Sequence, residues 1–319
     1  MNRKPAVLAY PNSNNLGDYI QSIAAKQLIG DDKIAELDRD HLDQYAGDKV
    51  SLVMNGWFME KPSNWPPSPQ ITPLFLSVHL NPTAEKVMLS EKGITYFKTH
   101  QPIGCRDLHT QRVLESKGIK TFFSACMTLS LKRSAFTTPK KGRKGIVVIS
   151  PLERLLPESQ TFRLTKTNGF LNIFVQTLKF PLKYIKYRKA MSRLMIYLES
   201  QEERIVWTSQ LIDTKNFSEK ERILEARKQL VNLANARLVI TSRIHSALPA
   251  VAFETPVLFL SDGLEHPNQK SRLEGLDSFF PIINSSELIE WQGKQPEAKK
   301  AHLPFVKKIQ KEIDTFFKD

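Results

Sequence analysis

The sequence predicts an α/β fold of two Rossmann-like domains that face a common cleft. Short apolar runs alternate with amphipathic segments in both halves of the chain, which is the pattern of parallel sheets covered by helices. A basic segment without acidic residues, 132–144, lies between the two alternating sets and is expected to be a solvated linker. The length of 319 residues is sufficient for two domains, expected at 1–135 and 145–300.

The first half alternates regularly between strand and helix patterns. Asp18 is a residue type that caps helices, and Gly118 is typical of the position just beyond a helix end. The predicted strands are 6–9, 50–55, 74–80, 103–106 and 121–125, and the predicted helices are 18–29, 84–89 and 107–117.

The second half repeats the alternation with less regularity. Residues 170–198 are rich in aromatic, leucine and basic residues, and Pro181 is expected to break them into two segments. The predicted strands are 146–150, 204–207, 238–241 and 257–260, and the predicted helices are 219–234 and 305–317.

The amino-acid composition indicates which binding partners and which cellular compartment to expect. The net charge of +13 and the pI of about 9.6 favour an anionic partner, yet no recognised nucleic-acid-binding motif occurs, so nucleic acid is not expected. The sequence has no apolar run long enough to span a membrane and no signal-peptide pattern. Two cysteines, Cys105 and Cys126, form no metal-binding spacing, so we expect a cytoplasmic protein without a metal.

The turn that follows the apolar run 238–240 concentrates polar chemistry. Ser242, Arg243 and His245 lie between a predicted strand and a predicted helix, outside the carboxyl end of the strand, where open α/β sheets bind ligands. A guanidinium, an imidazole and the free N–H groups of a helix start favour an anion. An ordinary capped helix with a surface arginine and a packed histidine is the alternative.

Three turns of the first half are also candidates. Gly17 in the first βα turn permits close approach of a ligand, but the turn lacks the GxGxxG pattern of dinucleotide-binding proteins. Arg106 ends a strand and is suited to a carboxylate or phosphate, unless it forms a salt bridge. Trp57 follows another strand and is a candidate for stacking on a sugar ring, with core packing as the alternative.

Two resemblances follow from these elements. The paired halves resemble the GT-B architecture, which implies that a last helix within 301–319 packs back on the first domain. Several motifs, taken in order, are similar to those of the polysaccharide pyruvyl transferase family. They are Asn14-Asn15-Leu16-Gly17-Asp18, Asn55-Gly56, Arg106-Asp107 with Gly118-Ile119, and Ser242-Arg243-Ile244-His245 with Thr255-Pro256-Val257. The sequence departs from the family at Glu254, where glycine is frequent.

The family resemblance implies transfer of pyruvate from phosphoenolpyruvate to two hydroxyls of a glycan sugar, forming a ketal and releasing phosphate. Phosphoenolpyruvate is then a substrate, and no cofactor or metal is required. His245 is then a candidate for the acid, the base or a phosphate-binding group, and Asp18 either caps its helix or takes a hydroxyl proton as a catalytic base. The donor-binding candidates are Arg106, Ser242, Arg243 and Arg272. Because a donor bound there leaves the facing side of the cleft for the sugar, the acceptor is expected near Asn14, Asn15, Gly17 and Trp57.

Alternatives remain for the function and for the partners. A GT-B glycosyltransferase that uses a nucleotide sugar would bind a diphosphate at the same helix start, and a non-catalytic glycan- or phosphate-binding protein would keep the cations. The acceptor is expected to be a glycan or a lipid-linked oligosaccharide. Residues 170–198 are a candidate for peripheral membrane contact, with a helical insertion packed on the domain as the alternative.

Overall fold

The computed structural model describes residues 3–31, 34–58, 60–137, 142–156 and 170–318, with the backbone alone for 170–180. It contains two sheets, and every strand pairing in them is parallel. The first sheet has β1 (Lys4–Ala9), β2 (Ala35–Asp38), β3 (Val50–Trp57), β4 (Ile71–His79), β5 (Ile103–Cys105) and β6 (Thr121–Phe123). The second has β7 (Ile146–Ile149), β8 (Ile205–Thr208), β9 (Leu238–Thr241), β10 (Val257–Leu260) and β11 (Ile282–Ile283).

The helices connect and cover these strands. The first half contains α1 (Leu16–Ile29), α2 (Glu85–Met88), α3 (Glu91–Thr99) and α4 (Leu108–Glu115). The second half contains α5 (Phe170–Glu199), α6 (Glu219–Asn235), α7 (Ile244–Ala252) and α8 (Pro267–Lys270), and α9 (Leu303–Lys318) follows it. The predicted α/β fold class, with two parallel, Rossmann-like sheets covered by helices, is confirmed.

The strand order places one ligand-binding crevice in each sheet. The first sheet has the order β2-β1-β3-β4-β5-β6, so the chain changes direction of winding between β1 and β3. The second has the order β11-β10-β9-β7-β8, so it changes direction between β7 and β9. In open parallel sheets, ligands bind outside the carboxyl ends of the strands at such points. The crevices therefore contain the turns after β1, β3, β7 and β9.

One hydrophobic core joins the two halves. It extends from Val7 and Ile20 of the first half to Leu230 and Leu248 of the second, and all four side chains are buried. Separate clusters cover the outer faces of the two sheets. Because the shared core holds α1 against α6 and α7, the first turns of α1 and α7 are brought together at the cleft.

Helix α9 returns to the first half of the chain. Phe305 packs edge-on against Phe123 of β6, with ring centroids 5.3 Å apart. Lys308 lies 3.9 Å above the ring of Phe122, and Gln310 Nε2 donates to the carbonyl of Leu28. The boundaries given above for the domains remain predictions.

Three local predictions are wrong. Asp18 does not cap α1, because the helix begins at Leu16 and the side chain of Asn15 accepts the capping hydrogen bond from the Gly17 N–H. Pro181 does not end a helix, because α5 continues through it; a proline removes one backbone donor, which a long helix can accommodate by bending. Residues 132–144 do not form a solvated linker throughout, since Arg133 donates to the carbonyl of Ala234.

Two shorter elements have weak sequence signals. Strand β2 and helix α3 were not predicted, because β2 is four residues long and largely exposed and the first turn of α3 is polar.

Glu254 has a φ of 54°, which is the left-handed region that favours glycine. The departure from glycine at this position therefore places a strained residue in the turn before Thr255-Pro256.

Candidate active site

The turn between β9 and α7 is fixed by its own side chains. Ser242 Oγ donates to the carbonyl of Leu260 at 2.8 Å and accepts from the Leu152 N–H at 3.2 Å. The hydroxyl proton and one of the two oxygen lone pairs are thus used inside the fold. Ser242 holds the end of β9 against the end of β10 and also lines the pocket at this turn.

Arg243 begins α7 without capping it. Its side chain makes no capping hydrogen bond; Nε instead donates to Glu153 Oε2 at 2.9 Å, and Nη2 forms an ion pair with the same carboxylate. Glu153 lies after β7, so the pair spans the crevice of the second sheet. The first N–H groups of any α-helix lack intrahelical acceptors, and here no side chain from the cap position covers them.

His245 lies in the first turn of α7 and is 5% exposed. Among the described residues, its Nε2 atom has no hydrogen-bond partner. Burial lowers the pKa of His245 well below its ordinary value, and the positive charges of Arg106, Arg272 and Arg243 lower it further. The imidazole is therefore neutral at neutral pH while the site is without an anion.

Arg106 approaches the same position from the first half. It follows β5, is 1% exposed, and has an Nε atom 3.6 Å from Asp107 Oδ2. Its Nε and Nη2 atoms are buried without a hydrogen-bond partner among the described residues. Leaving charged donors buried and unsatisfied is costly, so this guanidinium is suited to an anion that enters the site.

Arg272 of the second half contacts the first half. Its guanidinium lies 4.7 Å above the ring of Trp57, and its Nη1 donates to Gln269 at 3.3 Å. A pocket at the β9–α7 turn is lined by Arg154, Arg243 and Arg272. Arg272 covers one face of Trp57, so any sugar stacking on this ring must use the opposite face.

The turn before α1 has a different set of contacts. Asn14 accepts at its carbonyl from the Ile212 N–H at 2.8 Å, while Asn15 caps α1. Gly17 lies directly against α7: a Cβ atom there would be 2.8 Å from His245 Cβ and 2.9 Å from its Nδ1. Only a glycine allows the two helix starts to approach this closely.

Asp18 points into the interior beside this contact. It is 6% exposed and accepts from Ser13 Oγ at 2.6 Å and from Gln21 Nε2 at 3.4 Å. Burial raises the pKa of Asp18 above its ordinary value, although the nearby charge of Arg39 and the Ser13 hydrogen bond oppose that shift. A carboxyl group with a raised pKa is suited to proton transfer.

Several polar residues of the site were missed by sequence reasoning. Asn55 is 1% exposed, and neither polar atom of its side chain has a hydrogen-bond partner among the described residues. Arg39 lies near Asp18, and Glu153 pairs with Arg243. His79, the last residue of β4, is fully buried and bonded to Asp107. A titratable residue at a strand end was the available signal for His79, whereas Arg39 and Glu153 had none.

Comparison with known families decides the classification. The family model for polysaccharide pyruvyl transferases matches residues 15–263, which include α1, Arg106 and the β9–α7 turn. The chain belongs to the polysaccharide pyruvyl transferase family. A comparison with curated protein sequences finds no match. Within the described residues, no group of three or more His, Cys, Asp or Glu side chains is placed to hold a metal ion.

Several solved structures are similar to this pyruvyl transferase family member at low sequence identity. An uncharacterised protein of Klebsiella pneumoniae is 12% identical, with 89% of this chain and 93% of that chain covered and a TM-score of 0.48. The UDP-GlcNAc 2-epimerase of Methanocaldococcus jannaschii, in complex with UDP-GlcNAc and UDP, is 9% identical, with coverages of 96% and 98% and a TM-score of 0.39. The wall teichoic acid polymerase TagF is 12% identical, with coverages of 100% and 84% and a TM-score of 0.36.

Proposed function

We propose that this protein transfers pyruvate from phosphoenolpyruvate to two hydroxyls of a glycan sugar, as a cyclic ketal, with release of phosphate. Membership of the pyruvyl transferase family supports the reaction class. The observation that carries the proposal is the buried imidazole of His245. Its Nε2 has no hydrogen-bond partner among the described residues, and the positive charges of three arginines from both halves act on it.

The arginines match the charges of the donor. Phosphoenolpyruvate has a carboxylate and a phosphate, and a guanidinium binds either group through two parallel hydrogen bonds. Arg106 has two buried nitrogen atoms, Nε and Nη2, that have no hydrogen-bond partner among the described residues. Arg243 and Arg272 line the pocket at the β9–α7 turn. The start of α7 adds backbone N–H groups and the positive end of its dipole.

The proposed reaction needs an acid that protonates a carbon atom of phosphoenolpyruvate and bases that take the protons of the sugar hydroxyls. Protonation of the methylene carbon C3 develops positive charge at C2, which a sugar hydroxyl then attacks. Burial lowers the pKa of His245 and the arginine charges lower it further; a bound anion offsets the effect of the charges. Donor binding therefore favours protonation of His245, which becomes able to deliver a proton to C3.

We infer that the acceptor sugar binds on the first-half side of the cleft. The donor at the α7 start leaves the region near Asp18 and the side of Trp57 opposite Arg272 for the sugar. Asp18 is proposed to accept a hydroxyl proton. Asn14, Asn15 and Gly17 form the edge of this region, and their contacts with Ile212, α1 and His245 fix its shape.

A donor panel tests the function. Calorimetry with phosphoenolpyruvate, UDP sugars and GDP sugars should show binding of phosphoenolpyruvate alone. Phosphate release in the presence of candidate glycans should then accompany addition of a pyruvate ketal to the acceptor. Binding of a nucleotide sugar with nucleotide release would establish a GT-B glycosyltransferase instead. Binding of phosphoenolpyruvate without turnover on any glycan would favour a non-catalytic binding protein.

A peripheral membrane contact is proposed for the exposed part of α5, in keeping with a lipid-linked acceptor and a cytoplasmic site of action. Leu182 and Ile185 are 68% and 61% exposed and alternate with Lys183 and Lys186. Apolar side chains flanked by lysines suit an anionic bilayer surface. Among the described residues, no helix is long and apolar enough to cross a membrane. Co-sedimentation with phosphatidylglycerol vesicles, lost in Leu182→Glu/Ile185→Glu and absent with neutral vesicles, tests the contact.

A further inference from the structure

His79 and Asp107 form a buried pair beside the candidate active site. His79 Nδ1 lies 2.6 Å from Asp107 Oδ2, and both side chains are fully buried. The other carboxylate oxygen, Oδ1, accepts from the Thr110 N–H at 2.9 Å and from Thr110 Oγ1 at 2.8 Å, so Asp107 also caps α4. His79 Nε2 has no hydrogen-bond partner among the described residues.

The pairing assigns the tautomer of His79. The hydrogen bonds from His79 and from the Thr110 N–H, with the charge of Arg106, hold the pKa of Asp107 low although burial opposes them, so the carboxylate is ionised and only accepts. His79 must then donate from Nδ1, which leaves a lone pair on Nε2. Burial lowers the pKa of His79 to about 4, with Arg106 contributing and Asp107 opposing. The ring is therefore a neutral imidazole at neutral pH.

The pair is adjacent to the groups proposed to bind both substrates. His79 is opposite Trp57 in the β3–β4 register, and their ring centroids are 6.0 Å apart. The charges of Arg106 and Arg272 both act on His79, and His79 in turn influences His245. The imidazole is thus near both the sugar-stacking candidate and the arginines proposed to bind the donor.

We propose that His79 is a further catalytic residue of this site, whose Nε2 accepts a proton from one acceptor hydroxyl, and that Asp107 is the positioning residue that fixes its tautomer. The inference rests on the proposed function, because ketal formation requires two hydroxyls to lose their protons. Asp18 serves one hydroxyl, and His79 serves the other.

The protons balance over the proposed reaction. In the first step the C2=C3 electron pair takes a proton at C3, a hydroxyl oxygen bonds to C2, and the hydroxyl proton passes to a base. In the second step the bond from C2 to the phosphate oxygen breaks with its electron pair, the second hydroxyl oxygen bonds to C2, and its proton passes to the other base. Of the two protons lost by the hydroxyls, one balances the proton gained at C3 and the other leaves on hydrogen phosphate.

A purely structural role is the competing explanation, since the pair also links the end of β4 to the start of α4. Asp107→Asn separates the two roles. Asparagine retains an oxygen that can cap α4, but its amide nitrogen donates to Nδ1 and forces the proton onto Nε2. The comparable change in a serine protease triad lowers kcat by about 10⁴-fold through the wrong tautomer.

The chain supplies a matched control at its surface. His41 Nδ1 also lies 2.6 Å from a capping aspartate, Asp38, but the ring is partly exposed and its Nε2 contacts Lys61 Nζ at 2.8 Å. Asp38→Asn therefore makes the same change at a pair that has no free Nε2. Phosphate release, donor affinity, the thermal unfolding midpoint and histidine ¹⁵N shifts would be measured for both variants.

For Asp107→Asn we expect kcat to fall by about 10²–10⁴-fold, with the dissociation constant for phosphoenolpyruvate within about twofold of wild type and the proton of His79 moved to Nε2. Asp38→Asn should retain wild-type turnover. An active wild type with an equally active Asp107→Asn variant, or an Nε2–H tautomer in wild type, would overturn this inference while leaving the proposed function intact. A wild type that releases no phosphate from phosphoenolpyruvate with any glycan would refute both. If Asp107→Asn fails to fold, His79→Gln takes its place and is judged by the same fall in kcat at unchanged affinity for phosphoenolpyruvate.

Discussion

Helices α1 and α7 both begin at the cleft, one from each half, and their first turns are built differently. α1 is capped by Asn15, and Asp18 in its first turn accepts hydrogen bonds from Ser13 and Gln21. α7 begins at Arg243, which pairs with Glu153 and makes no capping hydrogen bond, and His245 Nε2 has no hydrogen-bond partner within the part of the chain that the structure describes. The polar groups of the α1 start are thus bonded to neighbouring residues, whereas the α7 start is the one proposed to bind an anion.

The largest effect is expected from changing the α7 side. His245→Ala should fold, because the helix start loses only a side chain, and should lose transfer activity by about 10²–10⁴-fold, the usual contribution of acid–base catalysis. Phosphate release with phosphoenolpyruvate and an accepted glycan measures the loss. A folded variant with near wild-type release would remove His245 from the chemistry.

A smaller effect is expected on the α1 side. Asp18→Asn retains the ability to accept from Ser13 but cannot take a proton, so turnover should fall by about 10²-fold, the lower end of the range for acid–base groups. The capping of α1 is unaffected because Asn15 performs it. Steady-state kinetics with varied acceptor distinguish a loss of kcat from a loss of binding. Unchanged kcat and acceptor affinity would mean that Asp18 only orders the turn.

Substitutions of Arg106 and Arg243 test whether the α7 side of the cleft binds phosphoenolpyruvate. Charge-assisted hydrogen bonds are worth roughly 1.5–3 kcal/mol, so Arg106→Ala should weaken phosphoenolpyruvate binding by about tenfold to a hundredfold. Arg243→Lys keeps its charge but loses the forked geometry, and it should weaken the donor more than the acceptor. Calorimetry with each substrate checks both variants. Unchanged donor affinity would return these residues to structural ion pairing.

His79, the buried histidine of the first half, should make the free energy of unfolding depend on pH. The pKa of His79 is about 4 in the folded protein and 6.5 without the fold, so only the unfolded chain gains this proton as the pH falls below 6.5. Stability is therefore lost as pH falls from 6.5 towards 4, by about 2 kcal/mol between pH 6.5 and 5. Urea unfolding of wild type and His79→Gln at both pH values checks this, and an equal pH dependence in the two proteins would contradict it.

Sequence reasoning located the turns that follow strands directly. Ser242, Arg243 and His245 lie after an apolar run whose bounds, Leu238–Thr241, were predicted as they are observed. His79 received no role because its partner, Asp107, is 28 positions away and only the sheet brings them together.

The same limit explains the assignments within turns. The sequence left Asp18 open as a helix cap or a ligand-binding residue because aspartate and asparagine are both good caps, and only backbone geometry shows that Asn15 is the cap. The contact between Gly17 and His245 joins two halves of the chain and has no local signal. Fold class was predictable from strand–helix alternation, but the approach of the two helix starts required the packing of the shared core.

The most direct test of the central claim is calorimetric titration of the wild-type protein with phosphoenolpyruvate and, separately, with UDP and GDP sugars, using Arg106→Ala as the control. The proposed function predicts that phosphoenolpyruvate binds, that the nucleotide sugars do not, and that Arg106→Ala weakens phosphoenolpyruvate binding by about tenfold or more. Binding of a nucleotide sugar with no response to phosphoenolpyruvate would contradict the account.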